Sequence, residues 1–487
     1  MCALENRKRQ TVQMMIMVVV TMITMLFCCA STSPIYPYYN CTDSSIFILI
    51  GKGITEGKLC YVDLFDHKGP VLFFLEAFGW TICGRAGIWL LECAAMLASE
   101  LAIIGICRLL KAKPWLPIAA SAAVLFFTFC YGNLTEDYSL PLIYFSLYLG
   151  TRYFVSQQDR HPLRYAVVYG ICIGLIAFIR VNNALIIFAL ILGILIDLIR
   201  KKKYGNIAAN LLAGSAGIAL VAVPVCLYFY RHDALYDMLY ATFLYNLNYT
   251  GETAHLSLWK NARFFFVLYS PAVFSVIIFA LQIKNKQERP LILTLLIASG
   301  LSLLMLLYAN AYDHYFTLSI PVFTIAAAMT APDPKLKSLF RFPGQRNLKL
   351  ALLGVIVLGF AGFSAYRGAV PFYQNLVTGS ENDRYEQMNE SAEVIPEDER
   401  DSVLGLGIPV KWYLDMDITP CYKYYAMQEW WTTSENDVYG ETVEYVETDH
   451  PLWLITKKDD DYGVDELDDS YELVDENDYA SVYRYAG

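Results

Sequence analysis

Four ionisable side chains fall within six positions of the stretch YVDLFDHKGP, immediately before a Gly-Pro turn: Asp63, Asp66, His67 and Lys68. Carboxylates and an imidazole can hold a divalent cation, and an ammonium offers a point charge to phosphate. A solvated loop is the alternative. The turn and the apolar run behind it favour function, because they would hold these charges at the depth of lipid headgroups. We therefore predict that Lys68 binds phosphate, and that Asp63, Asp66 and His67 shape the loop or bind a divalent metal.

Asp43 stands earlier in the same region, ahead of two serines and an apolar run in NCTDSSIFILIGKG. An Asp at such a place is a common helix N-cap, because its carboxylate accepts hydrogen bonds from the first free backbone N–H groups. A carboxylate at the mouth of a membrane can also act as a general base or acid, since apolar surroundings raise its pKa toward the working pH. The local sequence leaves both interpretations open.

A second acidic pair, Glu136 and Asp137, opens another apolar run in YGNLTEDYSLPLIYF, where Thr135 could cap the helix. Paired carboxylates at such a place can serve capping and solvation alone. They can also complete a metal site or position an acceptor hydroxyl. Because the pair repeats the acidic character of the first loop, we predict that Glu136 and Asp137 are catalytic.

Two further polar residues stand at the ends of apolar runs, Arg180 in FIRVNNALIIF and His314 in YANAYDHYFTLSIPVF. An arginine between two apolar runs is costly unless it pairs or reaches the membrane interface. Snorkelling to the headgroups would account for Arg180, and so would a guanidinium that faces an anionic ligand or a carboxylate. His314 lies among tyrosines, which is typical of an interface belt, but it is also the second histidine motif on one predicted face.

The elements that must position these residues are membrane helices. Of the 487 residues, 56% are hydrophobic and only 17% are charged, whereas soluble domains carry about 25% charged residues. Apolar windows of roughly 17 to 25 residues recur, each long enough to cross a hydrocarbon core of about 30 Å. An all-α polytopic protein is therefore predicted, with about eleven spans near residues 11–31, 86–110, 115–131, 139–155, 164–180, 184–199, 207–229, 263–283, 290–308, 317–331 and 348–364.

The loops between these spans sort by charge. Basic loops such as KAKP, QQDRHPLR, RKKKYG and KNKQER fall on one side, which the positive-inside rule places in the cytoplasm together with the N-terminus. The first apolar window is too long for a signal-peptide core and is predicted to be a retained anchor. The first outer loop is long enough to carry function, and its apolar stretches SSIFILIGKGI and PVLFFLEAFGWTI are predicted to be interfacial helices.

The C-terminal part of the chain has another composition. Beyond residue 380 it holds 29 Asp and Glu against 7 Lys and Arg, a net charge of −22 in a chain of −10. Alternating runs in DSVLGLGI, PLWLITKK and SVYRYAG predict strands, and the many aromatic residues favour a folded core over a disordered tail. We predict a transmembrane domain at 1–365 and an acidic extracytoplasmic α/β domain at 366–487.

The twelve cysteines contain no CxxC pair, so the sequence does not indicate a zinc or redox motif. Most lie in apolar windows, where a thiol serves as a small apolar side chain. Cys41 and Cys60 both fall in the predicted outer loop, where a disulfide between them is an open possibility.

Taken together, the motifs resemble the GT-C superfamily of integral-membrane glycosyltransferases, in particular the bacterial protein-mannosyltransferase and aminoarabinose-transferase-like group (glycosyltransferase family 39-like). The resemblance covers residues 10–365. Its most specific part is Y-x-D-x-F-D-H-K-G-P after a loop Asp, and NLTEDYSLP, FIRVNNA and YDHYFTLSIP follow in the order such enzymes use. It implies a GT-C membrane fold with interfacial helices in the first outer loop.

The resemblance also implies a reaction. A hexose or pentose would pass from a polyprenyl-phosphate donor to a lipid, glycan or protein acceptor on the outer face of the bacterial cytoplasmic membrane, without nucleic acid. Asp43 matches the first-loop carboxylate that activates the acceptor, and Glu136 and Asp137 match the second-loop acidic pair. Asp43 is followed by Ser44 rather than Glu, so protein O-mannosylation is not implied.

The donor phosphate would be held by cations. Lys68 matches the basic residue of the family's Glu-Lys-Pro segment, although Gly69 separates it from the proline. His314 matches a late motif that faces the carrier phosphate, and Arg180 could join it. His67 stands where the family has an acidic residue, so a divalent metal is an optional cofactor.

A multi-span transporter or flippase of a lipid-linked envelope precursor is the main alternative. Transporters have polar or broken helices near the membrane midplane. Here the ionisable residues collect at one predicted surface, apart from Glu92 and Glu100 within a span. A non-catalytic scaffold would leave the clustered outer charges without a role.

Overall fold

A computed structural model of the chain describes residues 2–112, 132–248, 269–283, 288–308, 313–330, 382–428, 431–432, 435–458 and 470–487. The chain forms two compact units. The first comprises Met1–Cys29, Leu91–Cys226 and Ala254–Val370. The second comprises Ala30–Leu90, Leu227–Thr253 and Pro371–Gly487. The predicted boundary at 365/366 lies outside the described residues.

Up to residue 330 the regular elements of the described chain are all helices. Predicted spans 115–131 and 348–364 lie outside the described residues, and each of the other nine overlaps a helix. The α-helices are α1 (Cys2–Cys28), α2 (Thr42–Thr55), α3 (Pro70–Leu109), α4 (Thr135–Val155), α5 (Leu163–Arg180), α6 (Leu185–Arg200), α7 (Tyr204–Arg231), α8 (Leu235–Leu239), α9 (Ser270–Gln282), α10 (Arg289–Tyr308) and α11 (Ile320–Thr330). Shorter elements are 3₁₀ turns at Val181–Ala184 and Asp313–Ser319 and a π turn at Tyr240–Leu244.

Several of these helices have the length and composition of membrane spans. Among the described residues, four segments meet both criteria: Pro70–Leu109, Leu163–Arg200, Tyr204–Arg231 and Arg289–Leu307. The protein is therefore an integral membrane protein, as predicted. The number of eleven spans stays a prediction.

Helix α3 is bent sharply near its middle. Its backbone leaves helical geometry at Cys83 and Gly84, where Gly84 has φ +55° and ψ −139°, a conformation that side chains disfavour. A Cβ atom on Gly87 would lie 2.0 Å from the carbonyl oxygen of Gly79, so the two arms can approach only because both positions lack side chains. The predicted stretch PVLFFLEAFGWTI is the first arm of α3.

In the first unit, helices approach closely at small residues. A Cβ atom on Gly193 of α6 would lie 2.0 Å from Oγ1 of Thr294 on α10. Likewise a Cβ atom on Gly170 of α5 would lie 2.0 Å from the carbonyl oxygen of Gly214 on α7. Such contacts are typical of helices that pack within membranes, where association depends on close van der Waals contact.

The second unit contains the C-terminal sheet, so the predicted α/β character of this part is confirmed. The sheet order is β1-β2-β4-β3; β1 and β2 are parallel, and the other pairs are antiparallel. Residues Leu404, Leu406, Met427, Val446 and Leu454 form its core. The elements are α12 (Asn382–Glu390), a 3₁₀ turn (Glu397–Ser402), β1 (Val403–Leu406), α13 (Val410–Asp415), α14 (Val438–Asp449), β2 (Trp453–Lys457), β3 (Tyr471–Glu476) and β4 (Ala480–Tyr485).

Three of these strands fall in the runs that alternation predicts. Strand β3 has the acidic sequence YELVDE, for which the sequence analysis predicts no strand. It is an edge strand with mostly exposed side chains, so burial imposes little apolar pattern on it.

Candidate active site

The loop before α3 gathers three charged side chains. Asp66, His67 and Lys68 are 1%, 7% and 7% exposed, so this loop is not the solvated alternative. The Lys68 Nζ atom lies 2.8 Å from Nε2 of His67, and Nδ1 of His67 lies 3.4 Å from Oδ1 of Asp66. An ammonium can only donate, so Nε2 accepts and the imidazole carries its proton on Nδ1, facing the carboxyl. The three side chains form one polar line.

Contacts within the second unit hold His67 and Lys68 of this polar line in position. The Tyr61 hydroxyl donates to the Lys68 carbonyl oxygen at 2.8 Å, and the Asn246 amide donates to the His67 carbonyl oxygen at 2.7 Å. The His67 ring stacks on Tyr245 with centroids 5.4 Å apart. The Lys68 ammonium lies 5.8 Å from the Phe47 ring centroid, within reach of cation–π attraction. The cation is therefore oriented by packing.

The pKa of the Asp66 carboxyl is raised above its ordinary value. Burial is the main cause, because it disfavours the charged form. The Lys68 ammonium acts in the opposite direction, and the Asp43 carboxylate adds to the rise. Asp43 and Asp66 therefore interact electrostatically.

Asp43 lies in the first turn of α2, with its side chain half-buried. The N-cap residue is Cys41, so the capping alternative for Asp43 is wrong. A carboxylate in the first helical turn is favoured by the positive end of the helix dipole. The partial burial of Asp43 leaves part of its side chain accessible to a ligand.

Asp63 belongs to a separate contact. Its Oδ2 atom accepts from the Leu59 backbone N–H at 2.6 Å, which closes the turn after α2. Throughout the described part of the chain, no three or more His, Cys, Asp or Glu side chains are grouped to hold a metal ion. The predicted ligands Asp63, Asp66 and His67 are therefore not assembled into a metal site, and Asp63 has the loop role instead. Cys41 and Cys60 are not joined in a disulfide.

The first unit contains the other predicted residues. Nη1 of Arg180 lies 3.3 Å from Oε1 of Glu136, whose side chain is 1% exposed. The guanidinium also donates to the Tyr315 hydroxyl and lies 4.5 Å from the centroid of that ring. Arg180 thus faces a carboxylate, which is the alternative to snorkelling that the sequence leaves open. His314 is half-buried, with its ring centroid 4.6 Å from that of Tyr315, so it lies beside this pair.

Asp137 has a structural task at the start of α4. Its Oδ2 atom accepts from the backbone N–H of Leu134 at 2.9 Å, which satisfies a donor at the helix terminus. Thr135, the predicted cap, is the first residue of the helix and donates to Glu136 at 3.0 Å. The capping side chain is therefore Asp137, while the catalytic role of Glu136 and Asp137 stays a prediction.

Sequence reasoning missed two positioning residues of this unit. Oε1 of Glu92 accepts from the backbone N–H of Asn133 at 2.5 Å, and Glu92 is 1% exposed. Asn133 has φ +58°, and its side chain accepts from the Tyr138 hydroxyl at 2.7 Å. A carboxylate inside an apolar span was the available signal for Glu92, because such residues are rare unless they have a role.

The two clusters offer distinct chemistry. The second unit has a half-buried carboxylate, Asp43, and a buried ammonium, Lys68. The first unit has a guanidinium that is already paired with Glu136. Displacement at a sugar's anomeric carbon needs a base for the acceptor and a positive charge for the departing group. The second unit contains both kinds of group.

Comparison with solved structures shows the fold. ArnT from Cupriavidus metallidurans bound to undecaprenyl phosphate has a TM-score of 0.60 and 12% identity, over 97% of both chains. Its apo form has a TM-score of 0.52 and 12% identity, over 98% of both. A further match is the archaeal oligosaccharyltransferase AglB from Archaeoglobus fulgidus, in complex with an inhibitory peptide and a dolichol-phosphate. It has a TM-score of 0.56 and 13% sequence identity, over 92% of this chain and 70% of the AglB chain. The GT-C fold is confirmed.

Comparison of sequences shows the family. No functionally curated protein matches this chain. Residues 5–360 match the family described as "Putative competence-induced protein Ccs4 N-terminal domain", which is well over half of the 487 residues. The chain therefore belongs to the Ccs4 N-terminal domain family.

Proposed function

We propose that this protein is a membrane glycosyltransferase. It transfers a hexose or pentose from a polyprenyl-phosphate donor to a cell-envelope acceptor on the outer face of the bacterial cytoplasmic membrane. The observation that carries the proposal is the buried Asp66–His67–Lys68 line in the same unit as the half-buried Asp43. The GT-C fold supports it, since solved structures of this fold include ArnT bound to undecaprenyl phosphate and AglB in complex with a dolichol-phosphate.

In the proposed reaction, Asp43 takes the proton of the acceptor hydroxyl. The acceptor oxygen forms a bond to the anomeric carbon, and the bond from that carbon to the carrier phosphate breaks. The electron pair leaves with the phosphate oxygen, whose added negative charge Lys68 stabilises. His67 keeps the ammonium in place through its contact with Nζ.

The first unit has a cation–carboxylate pair of its own. Arg180 has a carboxylate partner in Glu136 and a phenol partner in Tyr315, so its guanidinium is fixed in direction. We assign it and His314 to the recognition of the carrier phosphate. Glu136 orients Arg180, and Asp137 maintains the start of α4.

Asp43→Asn tests the base. The variant should lose at least about 100-fold in the rate of transfer from a polyprenyl-phosphate sugar, the range for removal of a general base. Glu56→Gln is the matched control, because it neutralises a carboxylate at the other end of α2. Full transfer by Asp43→Asn in the purified protein would overturn the assignment.

Lys68→Ala tests the phosphate contact. Donor affinity should fall by roughly tenfold, the effect of losing one charge-assisted hydrogen bond of about 1.5 kcal/mol. Unchanged donor affinity would remove this role. A transporter or flippase would instead move the lipid-linked sugar across proteoliposomes without forming a glycosylated product, so analysis of the products separates the two functions.

A further inference from the structure

A groove of about 230 Å³ lies within the first unit, between α5, α6 and α7. It is lined mainly by aliphatic side chains, among them Ile173, Ile191, Ile194, Leu195 and Ile218. A cavity of about 150 Å³ already accepts benzene when its lining is apolar. This groove can therefore hold a segment of one hydrocarbon chain.

Two of the four polar side chains that line the groove are His161 and Tyr169, each 2% exposed; Asn210 and Ser215 are the others. Within the described ranges, neither Nε2 of His161 nor the hydroxyl of Tyr169 has a hydrogen-bond partner. Buried polar atoms without partners are costly, so such atoms in a binding groove indicate a missing ligand group.

The chemistry of that ligand group follows from the histidine tautomer. Nδ1 of His161 lies 2.6 Å from Oδ1 of Asn210, while the Asn210 amide nitrogen donates to backbone carbonyl oxygens. The amide oxygen only accepts, so Nδ1 carries the proton and Nε2 is an acceptor. A hydroxyl matches both atoms, because it donates to Nε2 and accepts from Tyr169.

The surface beside the groove is positively charged. Lys201 pairs with Asp197 at 2.7 Å and also donates to the Gln158 carbonyl oxygen. Lys203 pairs with Asp159. Because of these contacts, the 157–164 loop lies against the turn between α6 and α7. The two segments contain six cations against these two carboxylates, an excess of four positive charges. The cations are Arg160, Arg164, Arg200, Lys201, Lys202 and Lys203.

We propose that this groove binds one anionic phospholipid with a hydroxyl-bearing headgroup. An acyl chain fills the apolar part, the hydroxyl bridges His161 and Tyr169, and the phosphate lies against the basic surface. The positive-inside rule places this end of the helices on the cytoplasmic side, where anionic lipids concentrate. The site is separate in sequence from the groups proposed for sugar transfer and does not depend on that function.

Native mass spectrometry of the full chain in detergent, titrated with phosphatidylglycerol or phosphatidylcholine, tests the proposal. Phosphatidylglycerol should bind about tenfold more tightly. Leu195→Trp fills the groove and should lower its affinity at least tenfold. Leu192→Trp makes the same change at a residue that is 43% exposed and outside the lining, and should leave the affinity unchanged. Equal affinity for the two lipids, or full affinity in Leu195→Trp, would overturn the proposal.

Tyr169→Phe gives an independent measurement, because it removes only a hydroxyl that has no partner in the described structure. The affinity for phosphatidylglycerol should fall about fivefold, the effect of one hydrogen bond. Tyr165→Phe is the control, since Tyr165 is also buried but does not line the groove. Equal affinity in wild type and Tyr169→Phe would show that the hydroxyl contact is wrong.

Discussion

The Lys68 ammonium is buried, so side chains rather than water surround most of it. Burying an ammonium is costly unless polar groups replace its hydration shell. Here His67 supplies an acceptor and Phe47 an aromatic face, while the Asp66 carboxyl lies on the other side of the imidazole. An incoming phosphate would complete this set.

The raised pKa of Asp66 predicts a pH dependence of stability. The folded protein keeps a proton on Asp66 at pH values at which the unfolded chain has released it. The contribution of Asp66 to stability is therefore largest below about pH 4, the ordinary aspartate value, and is lost as the pH rises toward the raised pKa. Asp66→Asn should abolish this loss, which reaches about 1.4 kcal/mol per pH unit.

Thermal unfolding in detergent between pH 4 and pH 8 measures the effect. Asp63→Asn is the matched control, because it removes a carboxylate from the same loop outside the polar line. An identical pH profile in wild type and Asp66→Asn would contradict the assigned shift.

The bend in α3 shows how an element supports a neighbouring segment. Arg85 follows Gly84 at the bend, and its guanidinium donates to the carbonyl oxygens of Ala30, Ser31, Tyr36 and Tyr38 at 2.7–3.0 Å. It also lies 4.4 Å from the Tyr39 ring centroid. One side chain thereby satisfies four backbone carbonyl oxygens of the segment that leads into α2 and Asp43.

Arg85→Lys should release this segment. A lysine ammonium lacks the planar fork of five donors, so it cannot make all four contacts. We expect a loss of at least about 2 kcal/mol in unfolding free energy, since hydrogen bonds to charged groups contribute about 1.5–3 kcal/mol each. Hydrogen exchange should accelerate across residues 30–40. Arg108→Lys, in the last turn of the same helix, is the control; unchanged exchange in Arg85→Lys would refute the role.

At the scale of the whole molecule, residues far apart in sequence meet around Phe65. Its ring centroid lies 5.5 Å from that of Tyr245, 5.2 Å from Tyr424 and 5.8 Å from Trp431. Its backbone N–H donates to the Lys423 carbonyl oxygen at 3.0 Å. The C-terminal part of the chain therefore holds the loop that contains the polar line, although about 360 residues separate them.

Phe65→Ala should weaken both stability and transfer. The expected loss is about 3–5 kcal/mol in unfolding free energy, because a buried aromatic ring is replaced by a cavity. Transfer should fall as well, since the variant frees the loop next to Lys68. Phe78→Ala, at a ring that is 58% exposed, is the control for thermal unfolding and transfer assays. Equal losses in the two variants would contradict the proposed support.

The amino-acid sequence by itself predicted nine apolar spans that overlap described helices, three of the four described strands and the family resemblance that names the fold. These follow from local patterns of apolar residues and from short motifs, which need no knowledge of distant contacts. Strand β3 was not predicted, because the side chains of an exposed edge strand need not alternate between apolar and polar.

Only the tertiary structure decided which charges meet. Arg180 pairs with Glu136, 44 positions away, and Glu92 supports Asn133 across 41 positions. Asp137 caps the start of α4, and Asp63 contacts the Leu59 backbone rather than the Asp66 side chain. The sequence does not show these partners, because they depend on the geometry of the folded chain. The residue types indicate a polar surface, and packing decides which of its charges are buried, which are paired and which make structural contacts.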